Sequence, residues 1–169
     1  MLKISVTKNG KELDKDLYSW NEETRIFSSN ENGLVLDFSD INNCTFKTKS
    51  YCTFKAGSGC MFNTGSNCTF TTGSYCTFDT VFGCTFDTGS DCTFKTGADC
   101  TFDTEYNCVV VRRDVFEVIQ LLNEENHIKL NQGGIKGYEV IGEKHIITID
   151  GKEIELSEES FNELKKQLI

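Results

Sequence analysis

The chain of 169 residues contains no proline, although average usage predicts roughly eight in this length. This absence excludes a proline-rich linker and collagen. No run approaches the roughly eighteen apolar residues of a membrane span, and the first residues lack the apolar stretch of a signal peptide. With 38% hydrophobic residues, a formal charge of −9 is too dilute to force disorder. We therefore expect one or two small folded units in the reducing cytoplasm, without contact with a membrane.

Nine cysteines recur at a strict interval of eight residues. The odd number excludes complete internal disulfide pairing. The repeated unit is C-T-F-x-T-G-S-x, of which residues 68–75 form one full copy. Self-similarity at a fixed period is the signature of a repeat architecture. The cysteines are Cys44, Cys52, Cys60, Cys68, Cys76, Cys84, Cys92, Cys100 and Cys108.

Each unit predicts one short strand followed by one corner. Cysteine and phenylalanine lie two apart with threonine between them, which is the alternation of a strand with one buried face. The following T-G-S-x is typical of a turn, in which glycine provides a positive φ. So short a strand cannot bury its apolar face alone, and successive units must stack. The sequence therefore predicts an all-β, short-period β-solenoid, with a core ladder of the nine cysteines and of Phe46, Phe54, Phe62, Phe70, Phe78, Phe86, Phe94 and Phe102.

The number of units in one coil has two solutions. Two units give a two-sided coil of 16 residues, in which each small cysteine is expected to lie across from a large phenylalanine, so that the core keeps one thickness. Three units give a triangular coil of 24 residues. The triangle is supported by Asn43, Tyr51 and Gly59, because the same residues recur in the same order 24 positions later. We favour two sides and keep the triangle as the alternative.

Degenerate copies extend the repeat on both sides. Leu36 and Phe38 take the cysteine and phenylalanine positions before the first regular unit, and Phe116 and Val118 take them after the last. We therefore assign residues 36–119 to the solenoid.

The flanking segments are predicted to cap the open strand edges of the solenoid. Residues 1–35 are expected to form an N-terminal β cap, with a strand over residues 2–6 and a hairpin turn at Lys8-Asn9-Gly10. Residues 120–169 are expected to form strands, a hairpin around Asp150-Gly151 and a helix. Ser157 is placed to N-cap that helix, whose apolar face carries Phe161, Leu164 and Leu168.

Nine thiols in register suggest a metal or iron–sulfur array, but their spacing argues against it. Structural zinc sites gather pairs such as C-x-x-C, whereas here each cysteine alternates with phenylalanine. Both histidines, His127 and His145, lie outside the repeat. Equivalent cysteines would lie about 4.8 Å apart in adjacent coils, but a disulfide between residues in register needs an awkward torsion. We predict unpaired, buried thiols, no cofactor, no metal site and no catalytic residue.

The outward positions suggest two further roles. Thr53, Thr69, Thr85 and Thr101 form a row that resembles the threonine ranks of insect ice-binding solenoids, which present two threonines per strand. Here the second outward position is mixed. Acidic residues gather late in the repeat and would attract a basic partner, whereas the negative charge argues against nucleic-acid binding. The residues of this possible acidic patch are Asp79, Asp87, Asp91, Asp99 and Asp103.

The octapeptide carries a resemblance to one group of proteins. The run N-C-T-F-x-T-G-S-x-C-T-F and the segment over residues 107–119 resemble a family of uncharacterised repeat proteins of phage and phage-rich bacterial genomes. The resemblance covers most of the chain and implies a β-solenoid, but members without an assigned role imply little about function. The chain departs from the pattern at Lys49, Met61 and Val81-Phe82.

These observations together favour a non-enzymatic structural or interaction module of phage or prophage origin. We expect a rigid rod that presents its ends or faces to a protein partner or to a second copy, in the cytoplasm or in a virion. The first alternative is an acidic solenoid inhibitor that resembles a DNA mimic. The second alternative is a metal- or ice-binding repeat protein.

Overall fold

A computed structural model describes residues 4–142, 144–149 and 152–167. Nearly all of the regular structure is β, with a 3-10 turn at Lys15–Leu17 and one helix near the C-terminus. The strands and the helix are β1 (Ser5–Lys8), β2 (Lys11–Glu12), β3 (Tyr18–Asn21), β4 (Ile26–Ser29), β5 (Leu34–Phe38), β6 (Thr45–Lys47), β7 (Thr53–Ala56), β8 (Met61–Asn63), β9 (Thr69–Thr72), β10 (Thr77–Asp79), β11 (Thr85–Thr88), β12 (Thr93–Thr96), β13 (Thr101–Glu105), β14 (Cys108–Arg112), β15 (Glu117–Leu121), β16 (Glu125–Leu130), β17 (Tyr138–Val140), β18 (Lys144–Ile149), β19 (Lys152–Ser157) and α1 (Glu158–Gln167).

Successive strands of the repeat alternate between two sheets. The front sheet has the order β17-β16-β13-β11-β9-β7-β5-β1-β2, and the back sheet has the order β15-β14-β12-β10-β8-β6-β4-β3. Within the regular repeat, parallel neighbours align residues sixteen apart, as Thr69 aligns with Thr85 and Thr77 with Thr93. The two-sided coil of 16 residues is therefore confirmed, and the triangular coil is excluded.

Each strand of the repeat has three inward positions rather than two. The second threonine of the unit is also buried, as at Thr80 and Thr96. Because facing strands run in opposite directions, phenylalanine then lies across from phenylalanine, and cysteine lies beside threonine. The Thr96 Oγ1 is 3.0 Å from the Cys100 Sγ. The expectation that each cysteine lies across from a phenylalanine was wrong, because it assumed only two inward positions.

The phenylalanines form two continuous ladders in the middle of the core. Rings of the back ladder, such as Phe62 and Phe78, stack with centroids 4.9 Å apart and planes 4° apart. Rings of the front ladder, such as Phe70 and Phe86, stack at 5.1 Å and 5°. Between the ladders, Phe78 meets Phe86 edge to face at 5.1 Å and 72°. Such geometry adds about 0.5–1.5 kcal/mol per aromatic pair beyond the buried area.

The corners use glycine differently from the prediction. In every corner that leads into a cysteine, the residue just before the cysteine has a positive φ. This residue is asparagine, aspartate or glycine in most corners, and it is tyrosine at Tyr51 and Tyr75. The glycine of T-G-S is required for a close approach instead, because a Cβ on Gly73 would lie 2.2 Å from the Ser58 Oγ of the preceding coil. The positive φ predicted for this glycine was therefore assigned to the wrong position.

The parallel ladder runs from β4 to β14 and differs from the sequence frame at both ends. Leu36 aligns with Phe54 rather than with a cysteine, because the loop before Cys44 is two residues longer than a regular corner. After β14 the chain reverses in a hairpin, in which Arg112 aligns with Glu117. Phe116, predicted to be an inward residue of a further unit, is instead 92% exposed.

Antiparallel strands terminate the ladder at both ends. At the N-terminal end, β1 pairs with β5 and β3 pairs with β4. At the C-terminal end, β15 pairs with β14, β16 pairs with β13, and β17 pairs with β16. The first strand begins at Ser5, and Leu2 and Lys3 of its predicted range lie outside the described residues.

The predicted C-terminal hairpin and helix are present. Strands β18 and β19 pair antiparallel, and α1 packs against both. Phe161 and Leu164 are half-buried, and the Lys165 Nζ lies 4.3 Å from the centre of the Phe161 ring. The predicted Asp150-Gly151 turn and Leu168 lie outside the described residues.

Candidate interaction surface

The nine cysteines are all buried and unpaired. Their thiols form two ladders in which the backbone N–H of one cysteine donates to the Sγ of the cysteine one coil later. This N···S distance is 3.4 Å from Cys60 to Cys76 and 3.5 Å from Cys68 to Cys84. The thiol therefore supplies an acceptor for a buried N–H as well as apolar volume. This role explains why cysteine suits the position better than an aliphatic residue of similar size.

At Cys52 and Cys84, hydrogen bonding and burial hold the thiol in its protonated form. Thiol–thiol hydrogen bonding to Cys68, with burial, raises the pKa of Cys52 above its usual range. Hydrogen bonding to Cys100, with burial, raises the pKa of Cys84 to about 11. Since a thiolate is the reactive and metal-binding form, these two thiols are poor nucleophiles and poor ligands. Among the described residues, no group of three or more histidine, cysteine, aspartate or glutamate residues is placed to hold a metal ion.

The five acidic residues of the predicted patch do not share one surface. Asp87 and Asp103 are neighbours on the outer face of the front sheet. Asp79 lies on the outer face of the back sheet and forms an ion pair with Arg113 at 2.8 Å. Asp91 and Asp99 sit at corners that lead into the back and the front sheet, on opposite edges of the rod. The dispersal arises because residues eight apart belong to opposite sheets.

The outer faces present one rank of threonine each. Thr53, Thr69, Thr85 and Thr101 align in register on the front sheet, as the sequence predicts. The corresponding rank on the back sheet is interrupted by Met61. The second rank on the front sheet contains a lysine and two aspartates, so a double threonine rank of the ice-binding kind is not formed there.

The N-terminal end of the rod is closed by apolar side chains. The Tyr18 ring stacks on Phe27 at 5.4 Å, and the Trp20 ring meets Phe38 edge to face at 5.1 Å. Leu13 and Phe38 are both buried. Phe27 and Phe38, the outermost phenylalanines of the core at this end, are therefore covered by aromatic and aliphatic groups.

The C-terminal end leaves apolar side chains in solvent. Tyr138 and Val140 align with the buried residues Leu130 and Ile128 of β16, yet they are 43% and 48% exposed. Leu122, just after β15, is 67% exposed. A cavity of about 390 Å³ opens between β15 and β17, and its lining includes these exposed residues together with Leu121 and Ile128. The inward face of β17 is thus partly open to solvent, while Leu121 and Ile128 beside it stay buried.

A buried arginine fixes the opposite corner of the same end. The side chain of Arg112 is fully buried and forms two hydrogen bonds with Asp114, at 3.2 and 2.7 Å. It also donates to the carbonyl oxygens of Asn131, Ile135 and Gly137. Partial burial opposes ionisation of Asp114, but the hydrogen bonds and charge of Arg112 outweigh it and lower the pKa of that carboxyl. The loop between β16 and β17 is therefore tied to the β14–β15 hairpin.

Sequence reasoning missed this end of the rod as a candidate surface. The sequence did contain a signal that the repeat ends here. The C-T-F pattern changes to C-V-V-V-R-R-D in residues 108–114, and Arg112 takes the inward position that threonine holds in the repeat. Arginine at an inward position cannot continue an apolar ladder, so the repeat ends there. Phe116 lies eight residues after Cys108, so the eight-residue period predicted a further unit. The reversal of the chain after β14 was therefore not predicted.

Comparisons with known proteins give no relative for this chain. No family model, no curated protein and no solved structure matches it. In the part of the chain that the structure describes, no helix has the length and apolar character needed to cross a membrane. The resemblance to phage octapeptide-repeat proteins therefore stays a prediction.

Proposed function

We propose that this chain is a non-enzymatic structural and interaction module, a rigid rod that presents its C-terminal end to a protein partner. The observation that carries the proposal is the contrast between a continuously packed core and one open end. Stacked rings run without interruption from Phe46 to Phe102. At the end of this core, Leu122, Tyr138 and Val140 remain in solvent. Exposed apolar groups next to unpaired strand edges are a common basis of protein interaction.

The rod is suited to hold that end at a fixed distance and orientation. Each coil repeats the same hydrogen-bonded register, so every coil is held to its neighbours in the same way along the regular repeat. Because one unit of eight residues is half a coil, the number of units also sets the sheet that carries the C-terminal strands. Length and rotation of the presented end are therefore both encoded by the repeat count.

Two deletions test the rod. Removing residues 68–83 deletes one coil, and removing residues 68–75 deletes half a coil. Spin labels on Glu22→Cys and Gln120→Cys, both at exposed positions, report the distance between the ends. We expect the full-coil deletion to shorten this distance by about 4.8 Å with the same narrow distribution. We expect the half-coil deletion to fold and to turn the C-terminal end by half a turn about the rod axis.

The wild-type protein is the control. Its nine cysteines are buried, so it should take up no spin label. A broad distance distribution, or a distance that does not follow the number of coils, would contradict the rod. For the interaction role, a photo-crosslinker at position 120 should capture a protein from the source cells, and one at position 22 should not. Equal capture at both ends, or catalytic turnover without capture, would contradict the proposal.

The proposal includes a phage or prophage origin, which is supported only by the octapeptide resemblance. The test is the position of the gene and the protein content of purified virions. A gene among virion genes, with the protein in the particles, would support this origin. A gene among housekeeping genes of a host without prophages would exclude it.

A further inference from the structure

We infer that the C-terminal end of the rod binds a second copy of this chain end to end, by antiparallel pairing of β15 with β15 of that copy. This inference rests on the proposed function, because it names the partner that the presented end would take. Three features support it: both sheets end at the same height, the edge of β15 is complementary to itself, and that edge lacks the usual protection of an exposed strand.

Both sheets end at the same height at the C-terminal end. Within the described residues, each sheet has two further strands beyond the coil of β12 and β13, namely β14 and β15 in the back sheet and β16 and β17 in the front sheet. At the N-terminal end the described sheets are uneven, because β3 alone follows β4 whereas β1 and β2 follow β5. One partner can continue both sheets of an even end, and a second copy of the same end has the matching shape.

Antiparallel pairing of two identical strands has a two-fold axis perpendicular to the sheet, because directly opposite residues point to the same face. The back sheet of the second copy therefore continues the back sheet of the first, and the two front sheets meet at β17. The half-exposed Tyr138 and Val140 and the cavity of about 390 Å³ beside them then face the end of the second copy. Such a contact uses the same surface on both copies and closes with two of them.

The residues of the β15 edge are complementary to themselves in one register. When Gln120 lies opposite Gln120 of the second copy, the outward Val118 lies opposite Leu122 and the inward Ile119 lies opposite Leu121. Every apolar residue of the edge thus meets an apolar residue on the same face. Val118 and Leu122 are 64% and 67% exposed in the single chain, so this pairing removes apolar surface from water.

The neighbouring registers fit less well. Centring the pair on Ile119 places the Glu117 carboxylate opposite Leu121, and centring it on Leu121 places Asn123 opposite Ile119. In the register centred on Gln120, Glu117 lies opposite Asn123 instead, so no two carboxylates are opposite each other within residues 117–123. The sequence therefore selects one register as well as one partner.

The edge of β15 lacks the usual protection of an exposed strand. Natural edges are blunted by charged residues, by proline or by a very short strand. Residues 118–122 contain neither a charge nor a proline, and β15 is five residues long. At the N-terminal end, by contrast, β2 consists of Lys11 and Glu12, and the outward residues of β3 are the polar Ser19 and Asn21. Pairing through the C-terminal end alone limits the assembly to two copies.

Sedimentation equilibrium and light scattering of the full chain measure the association. We expect a concentration-dependent dimer and no larger species. Val118→Lys places a charge on the exposed edge and should raise the dissociation constant of the dimer about tenfold or more. Val35→Lys makes the same change at an exposed outward position of β5, which lies between β1 and β7, and should leave the dissociation constant unchanged.

Engineered disulfides test the register. Opposite Cα atoms of an antiparallel pair lie about 4.5–5.5 Å apart, within the bridging range of a disulfide. With oxidised glutathione as the oxidant, Gln120→Cys should therefore give a disulfide-linked dimer, and a mixture of Val118→Cys and Leu122→Cys should give the mixed disulfide. Val118→Cys alone should remain unlinked. Glu22→Cys, exposed at the N-terminal end, is the matched control and should also remain unlinked, and the native thiols are buried.

Several results would overturn the inference. These are a chain that stays monomeric at every concentration, a dimer that Val118→Lys does not weaken, or disulfides that form in another register. Capture of a different protein by the crosslinker at position 120, from a chain that stays monomeric, would overturn the inference and leave the proposed function intact. A spacing of the ends that does not follow the number of coils would contradict the rod whether or not the dimer forms, so the two failures are distinguishable.

Discussion

The two ends of the rod solve the same problem by different means. At the N-terminal end, the aromatic rings of Tyr18 and Trp20 cover Phe27 and Phe38. At the C-terminal end, the polar network of Arg112 ties the strands together at one corner, while Val140 remains half-exposed. Both ends stop the parallel ladder with antiparallel strands, yet only the first covers its inward residues with aromatic rings. Ending the parallel strand pairing and covering the apolar side chains at that end are therefore achieved by different residues.

This difference predicts which interactions stabilise each end. An apolar cover stabilises through buried area, which is roughly proportional to the surface removed from water. A polar anchor stabilises through satisfied donors and a paired charge, and it is costly to remove because its partners are left without it. Substitutions matched between the two ends should separate these contributions.

The largest effect is expected at the apolar cover. Phe38→Ala removes a fully buried ring that contacts Trp20, Phe27 and Phe46, so we expect the free energy of unfolding to fall by about 4 kcal/mol. Phe116→Ala at the C-terminal end should change it by less than about 0.5 kcal/mol, because that ring is 92% exposed. Urea denaturation measures both. Equal losses would remove the distinction between the two ends.

The next effect concerns the polar anchor. Arg112→Met should lower the free energy of unfolding by about 3 kcal/mol, since it leaves Asp114 and three carbonyl oxygens without their donor. Hydrogen exchange should speed up in the loop over residues 131–137. Arg113→Met is the matched control, with an expected loss of about 0.5 kcal/mol, because its ion pair with Asp79 is half-exposed. A stable Arg112→Met protein with an unchanged loop would show that the anchor is dispensable.

The coil that contains Cys84, between the two ends, should lose stability at alkaline pH. The pKa of the Cys84 thiol is raised to about 11 in the folded chain, whereas it is about 8.5 in an unfolded one. Between these values the unfolded state loses a proton that the folded state keeps, so the free energy of unfolding falls by about 1.4 kcal/mol per pH unit for such a thiol. Denaturation at about pH 7 and about pH 10 under reducing conditions measures the loss. Cys84→Ser should reduce this pH dependence, and an unchanged slope would count against the raised pKa.

The smallest effect is a gain at the C-terminal hairpin. Phe116 has a φ of 51°, close to the 52° of Asn9 in the N-terminal hairpin. Asparagine tolerates this left-handed conformation better than a bulky residue, so Phe116→Asn should raise the free energy of unfolding by about 1 kcal/mol. Val115→Asn, which lies outside the left-handed region, should give no gain. Thermal unfolding of both variants decides this, and a loss at position 116 would show that the exposed ring stabilises the end.

Much of the fold was predictable because the cysteine period is strict. An interval of eight, with phenylalanine two residues after cysteine, leaves few ways to bury the repeated apolar pair other than a stacked coil. The burial of the second threonine was not predicted, because threonine is as common in turns and on exposed strand faces as in a core. Its inward position moved phenylalanine to the centre of each strand and cysteine to the corner, where the thiol accepts a backbone N–H.

The ends were less predictable than the repeat, for a physical reason. A short hairpin and a continued coil have similar local patterns, and Val109 to Val118 suits both. The choice depends on whether Arg112 finds partners, and those partners come from the loop over residues 131–137. The acidic patch failed as one surface for a related reason, since neighbours in the repeat lie on opposite faces of the rod.

The sequence by itself determined that this chain stacks short strands into a β-solenoid with buried, unpaired thiols, because periodic apolar pairs must be shared between neighbouring units. Tertiary structure decided what periodicity does not contain: two sides rather than three, phenylalanine against phenylalanine, and a chain that reverses at Arg112. It also decided that aromatic rings cover the inward residues at the N-terminal end, whereas the inward face of β17 at the C-terminal end is partly exposed. These outcomes depend on contacts between residues far apart in the chain, and such contacts exist only once the coils have stacked.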